Sequence, residues 1–421
     1  MSPTTASSSI QPAVDGALPP PAWTVRDWVT LISLAAIQFL NILDFIILMP
    51  LGPRFLDELG FSTKQFGYVV AIYGYASFAA GILAAGWLNR FDRRLALLVL
   101  LGLFMLSTLY CSRAQNFPDL LIARAIAGAC GGLIGSLVVS TVSDLFHESR
   151  RGFALGIIMS AFAIASIVGV PIGLGLAEQF SSARFPFFVL AMLCIPFGAT
   201  LWISLPRAEK PGNPTTDGYW RTQWETVKPT SHRWAFLFTV MLVLQSFLIV
   251  PYLATYCVKN LGLPEERLQW VYIVGGLCTL ITSPLVGRLS DRFGKFQVYR
   301  WVVGCAMVPT LLITHLTSIP NWACIVLTTL YMAITSSRMV AAQAILSSVP
   351  ERRWRTSFLS MNGSVQSLSS GLAASLSANI VSEGPTGQLE NFWIVGLLGA
   401  SFFFWSALLL PRLHPSRTVA G

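Results

Sequence analysis

Charge is what this sequence has least of. Asp, Glu, Lys and Arg make up 11% of its 421 residues and hydrophobic residues 54%, whereas soluble domains carry about a quarter charged residues. An ordinary soluble protein is excluded. Apolar runs of about 20 residues, enough to cross a hydrocarbon core as helix, recur along the chain, and they do not alternate, which excludes a membrane β-barrel. Cysteine offers little chemistry. Cys111, Cys130, Cys194, Cys257, Cys278, Cys305 and Cys324 are scattered, mostly within apolar runs and without a Cys-x-x-Cys pair, so they read as small apolar fillers. The four histidines show no ligand spacing. There is no His-Glu-x-x-His, no phosphate-binding glycine loop and no pair of acids within an apolar run. No cofactor and no metal are implied, a membrane enzyme or sensor lacks its polar cluster, and an ATP-driven pump would need a nucleotide-binding partner.

What the chain has is span after span. Twelve are expected, near 26–51, 63–88, 94–113, 117–144, 150–178, 184–205, 234–258, 264–288, 296–317, 320–347, 355–381 and 391–411. The longest polar break, 206–233, holds Pro206, Pro211, Pro214 and Pro229 among five basic residues and divides the spans six and six. The expected organisation is a tail over 1–25, a six-helix bundle over 26–205, a cytoplasmic linker over 206–233, a second bundle over 234–411 and a short cytoplasmic tail over 412–421. Trp220 and Trp224 suit a linker lying on the membrane surface. Residues 1–22 are rich in Ser, Thr, Pro and Ala with no basic leader, which predicts a disordered cytoplasmic tail and not a cleaved signal peptide.

Placing the N-terminus in the cytoplasm assigns 20 of the 28 Lys and Arg to cytoplasmic loops and tails and 6 to outer loops, leaving Arg124 and Arg338 within spans. Such a bias orients membrane proteins, here with both termini inside a cell membrane, the bacterial inner membrane being the expected one. It also accounts for the net charge of +9 without nucleic acid as a partner.

The two halves repeat one another. Ala85-Gly-Trp-Leu-Asn89-Arg90-Phe91-Asp92-Arg93 aligns with Gly287-Arg-Leu-Ser-Asp291-Arg292-Phe293-Gly294-Lys295 at an offset of 202, Pro50 with Pro251 at 201 and Arg151 with Arg355 at 204. Near-constant offsets mark an internal duplication. At offset 201 Asp44 falls on Gln245, so one half keeps an acid where the other has a neutral amide.

Gly287 to Lys295 resembles the loop signature of the major facilitator superfamily, Gly-x-x-x-Asp-Arg-x-Gly-Arg/Lys. It recurs in degenerate form at 85–93, with Ala85, Asn89 and Asp92 at the usual Gly, Asp and Gly positions. Gly169-Val-Pro171-Ile-Gly173 resembles the antiporter motif of the twelve-span drug:proton antiporter branch, Arg124-Ala-Ile-Ala-Gly128 its fourth-span arginine motif, and Leu43-Asp44 with Met49-Pro50-Leu51-Gly52-Pro53 its first-span motif. The resemblance implies an all-α polytopic membrane protein of two pseudo-symmetric six-helix bundles. It also implies that the loop residues Asn89, Asp92, Arg93, Asp291, Arg292, Gly294 and Lys295 belong to a cytoplasmic gate, and that Gly169, Pro171 and Gly173 seal the outer half against proton leak. The plainer alternatives are charges that set orientation and ordinary Gly and Pro packing of membrane helices.

Of the 19 acids, Asp44 alone lies well inside a span. A carboxyl group there needs a wet cavity, a proton or a cation. Asp44 lies about seven residues before the outer end of span one and Arg124 about seven after the outer start of span four, both roughly 10 Å deep at 1.5 Å per residue. The two are expected to meet, either as a proton-coupling pair or as a fixed structural one. Gln38 and Asn41 stand on the same helical face as Asp44 and are expected to line a substrate cavity with Gln245, Tyr252 and Tyr256; helix-to-helix hydrogen bonding is the alternative for the amides. Arg338 lies in span ten with no acid in the spans of its half. It is expected either to meet an anionic substrate group or to cap carbonyls or pair with Asp144 or Glu351. Span eleven is rich in Ser with Asn362 and Gln366, so it belongs inside the bundle.

The function expected is secondary active transport, with proton-coupled efflux of a small, partly hydrophobic compound or metabolite by a monomer in the lipid bilayer. Efflux rests mainly on the resemblance, and a proton symporter or facilitator importing a metabolite is the alternative.

Overall fold

A computed structural model of the chain describes residues 23–83, 91–206, 216–351 and 353–413. The polypeptide is helical almost throughout. Each bundle contributes six long helices. The first six spans are Val25–Ile47, Thr63–Leu83, Arg93–Cys111, Phe117–Leu145, the pair Glu148–Ile164 and Val170–Gln179 joined by a π-helical turn Ala165–Gly169, and Phe185–Ser204. The second six are Thr230–Lys259, Leu268–Phe293, Lys295–His315, Asn321–Leu346, Arg355–Ile380 and Phe392–Leu409. Among the described residues eleven helices are long and apolar enough to cross a membrane unaided. The exception is Arg355–Ile380, the Ser-rich span. It lies between the second and seventh spans, where Ser367 meets Ser77 at 3.1 Å, Ser377 donates to the Leu248 carbonyl at 2.7 Å and Thr239 donates to Asn362 at 2.6 Å. Ser367, Ser377 and Asn362 are thereby satisfied inside protein, where apolar lipid could not satisfy them.

Local chemistry sets the helix ends. Thr24 and Asp27 form a reciprocal capping box at the start of the first span, and Asn116 accepts from the Asp119 amide to open the fourth. The first span stops at Ile47, short of the expected residue 51. Pro50 has no N–H to donate and disfavours helix in the residue before it. A short helix, Gly52–Leu59, follows, and Gly60 at φ 62° turns the chain into the second span. The linker expected over 206–233 carries a helix of its own, Thr216–Val227, with Trp220 and Trp224 exposed. The seventh span begins at Thr230, before the expected 234. A two-stranded hairpin, Ser382–Glu383 with Leu389–Glu390, joins the last two spans; two-residue strands leave no alternating pattern to read.

Six helices per half put Trp23, the linker helix Thr216–Val227 and Arg412 at one end, Trp23 against Phe146 and Arg412 over Trp234. The halves are tied together towards the opposite, far end. Arg54 meets Glu265 at 3.1 Å and Lys259 meets Asp57 at 2.9 Å, both pairs linking the short helix of the first half to the second half. Thr63 donates to Glu383, Tyr68 to Asn379 and the Tyr252 hydroxyl to the Thr63 carbonyl. Near mid-membrane Phe45 faces Phe247 across the halves, centroids 5.8 Å apart. The second and eleventh spans lie against each other through glycine: Gly74 leaves a Cβ no room beside Ser367 and Gly371.

Candidate functional site

The first bundle is built around an ion pair. Arg124 Nη1 donates to Asp44 Oδ2 at 2.7 Å and to the Asp44 carbonyl at 3.2 Å, and both side chains are fully buried. The second carboxylate oxygen accepts from Thr108 of the third span at 3.2 Å. The guanidinium carbon lies 4.6 Å from the centroid of the Tyr73 ring, a cation–π contact from the second span. Tyr73 in turn donates to Asn41 Oδ1 at 3.1 Å, and the Asn41 amide donates to the Gly131 carbonyl at 3.0 Å. Five polar groups from four spans thus form one connected cluster with a net charge of zero.

Small residues make that geometry possible. A Cβ at Gly128 or Gly131 would strike Tyr73, and one at Gly131 would also strike Asn41, so glycine lets the fourth span close on the first two. Behind the first span, a Cβ at Gly169 would sit 2.7 Å from Leu43, and one at Gly173 would strike Ile47. Leu43 and Ile47 flank Asp44, so two residues of the expected antiporter motif seat the helical turn that carries the acid. The π-helical turn Ala165–Gly169 ends just before Pro171, where the missing N–H frees a carbonyl one turn earlier. Gly175 has open space around it.

The face of Gln38, Asn41 and Asp44 was expected to be a cavity wall, and here the structure differs. Asn41 and Asp44 are buried against the fourth span, whose glycines admit it closely. Gln38 alone keeps partial exposure, with its side-chain oxygen unpartnered. The other expected cavity residues do not converge on it. Tyr252 and Tyr256 are buried, and their hydroxyls donate to the carbonyls of Thr63 and Leu316 at 2.9 and 2.8 Å; in this conformation they pack the far end. Gln245 is buried with both amide atoms unpartnered.

Arg338 is also fully buried. Its Nη2 donates to the Leu242 carbonyl at 3.0 Å and to Ser246 Oγ at 2.9 Å, and its guanidinium lies 5.1 Å from the Phe403 ring. Of the partners considered from sequence, carbonyl capping is the one seen. Asp144 instead pairs with Arg93, and Glu351 with Arg353 at 3.0 Å; both acids sit at helix ends, where basic neighbours are nearer.

The loop residues are held locally. Asp92 caps the third span by accepting from the Arg94 amide at 2.7 Å. Gly294 adopts φ 89°, a conformation that favours glycine, and lets the ninth span start at once. Lys295 reaches the Ala344 carbonyl near the end of the tenth span at 3.5 Å, where a cation is favoured by the helix dipole. Arg292 lies over Phe293. Asp291 is exposed and, among the described residues, makes no hydrogen bond or ion pair, its side chain pointing to solvent at the end of its own helix. Asn89 lies outside the described residues.

Sequence reasoning missed Tyr73 and Thr108. Neither carries a charge, and a hydroxyl inside an apolar run gives no sign of which helix it will face. Thr108, one of few polar residues in the third span, was the weak signal available.

An ion pair this deep is not explained by stability. Two desolvated charges gain about as much from each other as they lose in hydration, and apolar replacements are often neutral or better, while removing one partner costs about 3–5 kcal/mol. What the arrangement can do is switch. A proton on Asp44 cancels its charge and releases Arg124, so the cluster has two electrostatic states.

The sequence matches the family model described as Major Facilitator Superfamily over residues 34–374 and 235–420. Among similar proteins is Multidrug resistance protein 1 of Bacillus subtilis (strain 168), 24% identical over 306 residues that span 72% of this chain and 76% of that one. A probable nitrate/nitrite antiporter of Thermus thermophilus is 25% identical over 61% of this chain and 60% of its own length. Among solved structures, a D-xylose-proton symporter superposes with a TM-score of 0.75 at 16% identity, covering 92% of this chain and 98% of that one. A bacterial homolog of the human lysosomal transporter Spinster does so with a TM-score of 0.72 at 15% identity, covering 93% and 99%.

Proposed function

Because this chain belongs to the Major Facilitator Superfamily, a family of membrane transporters and not enzymes, we propose that it exports a small, partly hydrophobic compound in exchange for protons. Asp44 is the proton carrier in this reading and Arg124 its electrostatic partner. The observation that carries it is the complete burial of that pair within a cluster whose remaining members are neutral. Such a cluster changes charge only by taking up or losing a proton at Asp44.

The two bundles rock about a midplane site, and the conformation described has the far end tied by Arg54–Glu265 and Lys259–Asp57. Opening that end separates the second and eleventh spans, and Phe45 from Phe247. Phe45 also packs on Tyr73, centroids 4.8 Å apart, and Tyr73 lies under Arg124, so movement of the halves reaches the ion pair through two rings. Gly169, Pro171 and Gly173 hold the first span in register with this cluster. The loop residues Asp92, Arg93, Asp291, Arg292, Gly294 and Lys295, with Asn89, serve the opposite gate. The charge bias of the loops supports cytoplasmic termini, the bacterial source of the Bacillus subtilis and Thermus thermophilus relatives supports a bacterial inner membrane, and a monomer holds a complete site.

The test is substrate-induced proton movement in proteoliposomes. Asp44→Asn is expected to abolish it in the fraction that remains folded, which is measured alongside, since Asn keeps an oxygen that can accept from Arg124. Wild-type proton movement in that variant would remove the assignment. The same pair would serve a proton symporter importing a metabolite. The sign of the pH change on adding substrate separates the two: antiport moves protons against the substrate, symport with it.

A further inference from the structure

The second bundle contains a cation that its own residues leave uncompensated. Arg338 is fully buried, yet only Nη2 has hydrogen-bond partners; Nε and Nη1 have none. The acids of that half, Glu265, Glu266, Asp291, Glu351, Glu383 and Glu390, all lie at helix ends or in connections. A buried charge without a counter-charge is among the costliest arrangements in a protein, and unpartnered N–H groups add to it.

Further unpartnered groups share the locality. Tyr331 and Thr335 stand on the face of the tenth span that carries Arg338, two turns and one turn before it, and both hydroxyls are buried without a partner. Tyr331 and Tyr299 are close enough to Arg338 to interact with it electrostatically, and the Tyr299 hydroxyl is also at long hydrogen-bonding reach of the guanidinium. Tyr299 donates its own proton to Ser406 at 2.9 Å. Gln245, next in sequence to the Ser246 that Arg338 touches, has an unpartnered amide. The free groups around this one positive charge are thus mostly able to donate, N–H and O–H, with the Gln245 amide oxygen the one acceptor-only atom among them.

We propose that this cluster is an anion-binding site, with Arg338 Nε and Nη1 and the Tyr331 hydroxyl donating to the anion. Its ligand carries a single compact negative charge. That charge belongs either to a small inorganic anion of the chloride class or to the carboxylate of a transported compound. A guanidinium presents paired donors that match such a group better than a carbonyl or water does. The carboxylate source rests on the transport reading; the inorganic source does not.

The experiment uses the full-length purified protein. Thermal unfolding is followed as chloride replaces isethionate, a bulkier anion without a carboxylate, at constant ionic strength. A saturable rise of about 2–4 °C in the midpoint is expected once chloride exceeds its dissociation constant tenfold, and Arg338→Gln is expected to lose it. Ser246→Asp supplies the missing carboxylate from the residue whose hydroxyl now lies 2.9 Å from Nη2 and is expected to lose the response too, so the result stands if Arg338→Gln fails to fold. In proteoliposomes, tenfold or greater loss of transport in Arg338→Gln for carboxylate-bearing compounds alone, with chloride competing in the wild type, identifies the substrate as the source. A chloride response without such selectivity identifies the inorganic anion. No saturable chloride effect and no carboxylate selectivity overturns the proposal. An anion response that persists in Asp44→Asn, when proton movement is gone, shows that the two sites stand or fall separately.

Discussion

The two halves descend from one pattern, yet their interiors differ by one charge. In the first, Arg124 faces Asp44 at 2.7 Å and the cluster is neutral. In the second, Gln245 stands at the position matching Asp44, the fourth-span arginine has no counterpart at Thr328, and an arginine stands instead further along the tenth span, at Arg338, with a carbonyl and a hydroxyl for company. The difference teaches that duplication preserves the packing of helices and leaves the polar interior free to diverge. Helix packing depends on many small apolar contacts, each replaceable. A buried charge depends on one partner, and moving it along the helix, here by roughly three turns from the Thr328 position to Arg338, changes which helix it meets.

The comparison breaks most visibly at Arg124. Arg124→Ala leaves a buried carboxylate alone and is expected to destabilise the protein by about 3–5 kcal/mol, read as a lowered unfolding midpoint in detergent. Adding Asp44→Asn to it should recover most of that loss, whereas no second-half amide should rescue it. If Arg124→Ala unfolds at the wild-type temperature, the first interior is not held by its charges and the contrast with the second disappears.

Packing sets the next largest effect. Gly169→Ala places a methyl group 2.7 Å from Leu43 and is expected to cost about 1–3 kcal/mol by overpacking, with slowed transport, since the turn carrying Asp44 must shift. Gly175→Ala, in open space, should be neutral or gain up to about 1 kcal/mol of helix propensity. Equal effects would mean that the fifth span does not position the acid.

Ser246→Asp tests whether the second half can be made to resemble the first. A carboxylate beside Arg338 is expected to stabilise the protein by about 1–2 kcal/mol in chloride-free buffer, with little gain in saturating chloride. Gain of the same size in both buffers would sharpen the comparison differently, by showing that the wild-type site is empty of anion.

The smallest effect belongs to the far-end ties. Arg54 and Glu265 are partly exposed, so Arg54→Gln should change stability by less than about 1 kcal/mol. Its effect should fall on how fast the far end opens, measurable as spectroscopic distance change between labels on the two halves, and should fade as salt is raised.

Much of this was legible before any coordinates. Charged residues inside spans are few, and depth in a membrane is linear in residue number for a helix, so counting from the ends put Asp44 and Arg124 at one level. Orientation of the faces was less legible. Gln38, Asn41 and Asp44 do share a stripe, but whether that stripe meets water or another helix depends on Gly128 and Gly131 some 90 residues away. Their closeness to Tyr73 and Asn41 appears only when two helices are placed side by side. Thr108 and Tyr73 escaped for the same reason. Tyr252 and Tyr256 looked like ligand-facing aromatics and turned out to cap carbonyls, because a tyrosine hydroxyl in an apolar span takes whichever acceptor the neighbouring helix offers.

The sequence alone determined that this is a membrane protein of twelve spans in two related halves and that two of its charges lie at matching depth, because hydrophobic length, charge bias and repeat spacing are properties of the chain taken one residue at a time. Only the tertiary structure decided that Asp44 and Arg124 are sealed from solvent with Thr108 and Tyr73, and that Arg338 has no acid beside it. Those facts depend on the rotation of each helix about its own axis, which is set by how glycines and side chains of different spans fit together and is written in no single span.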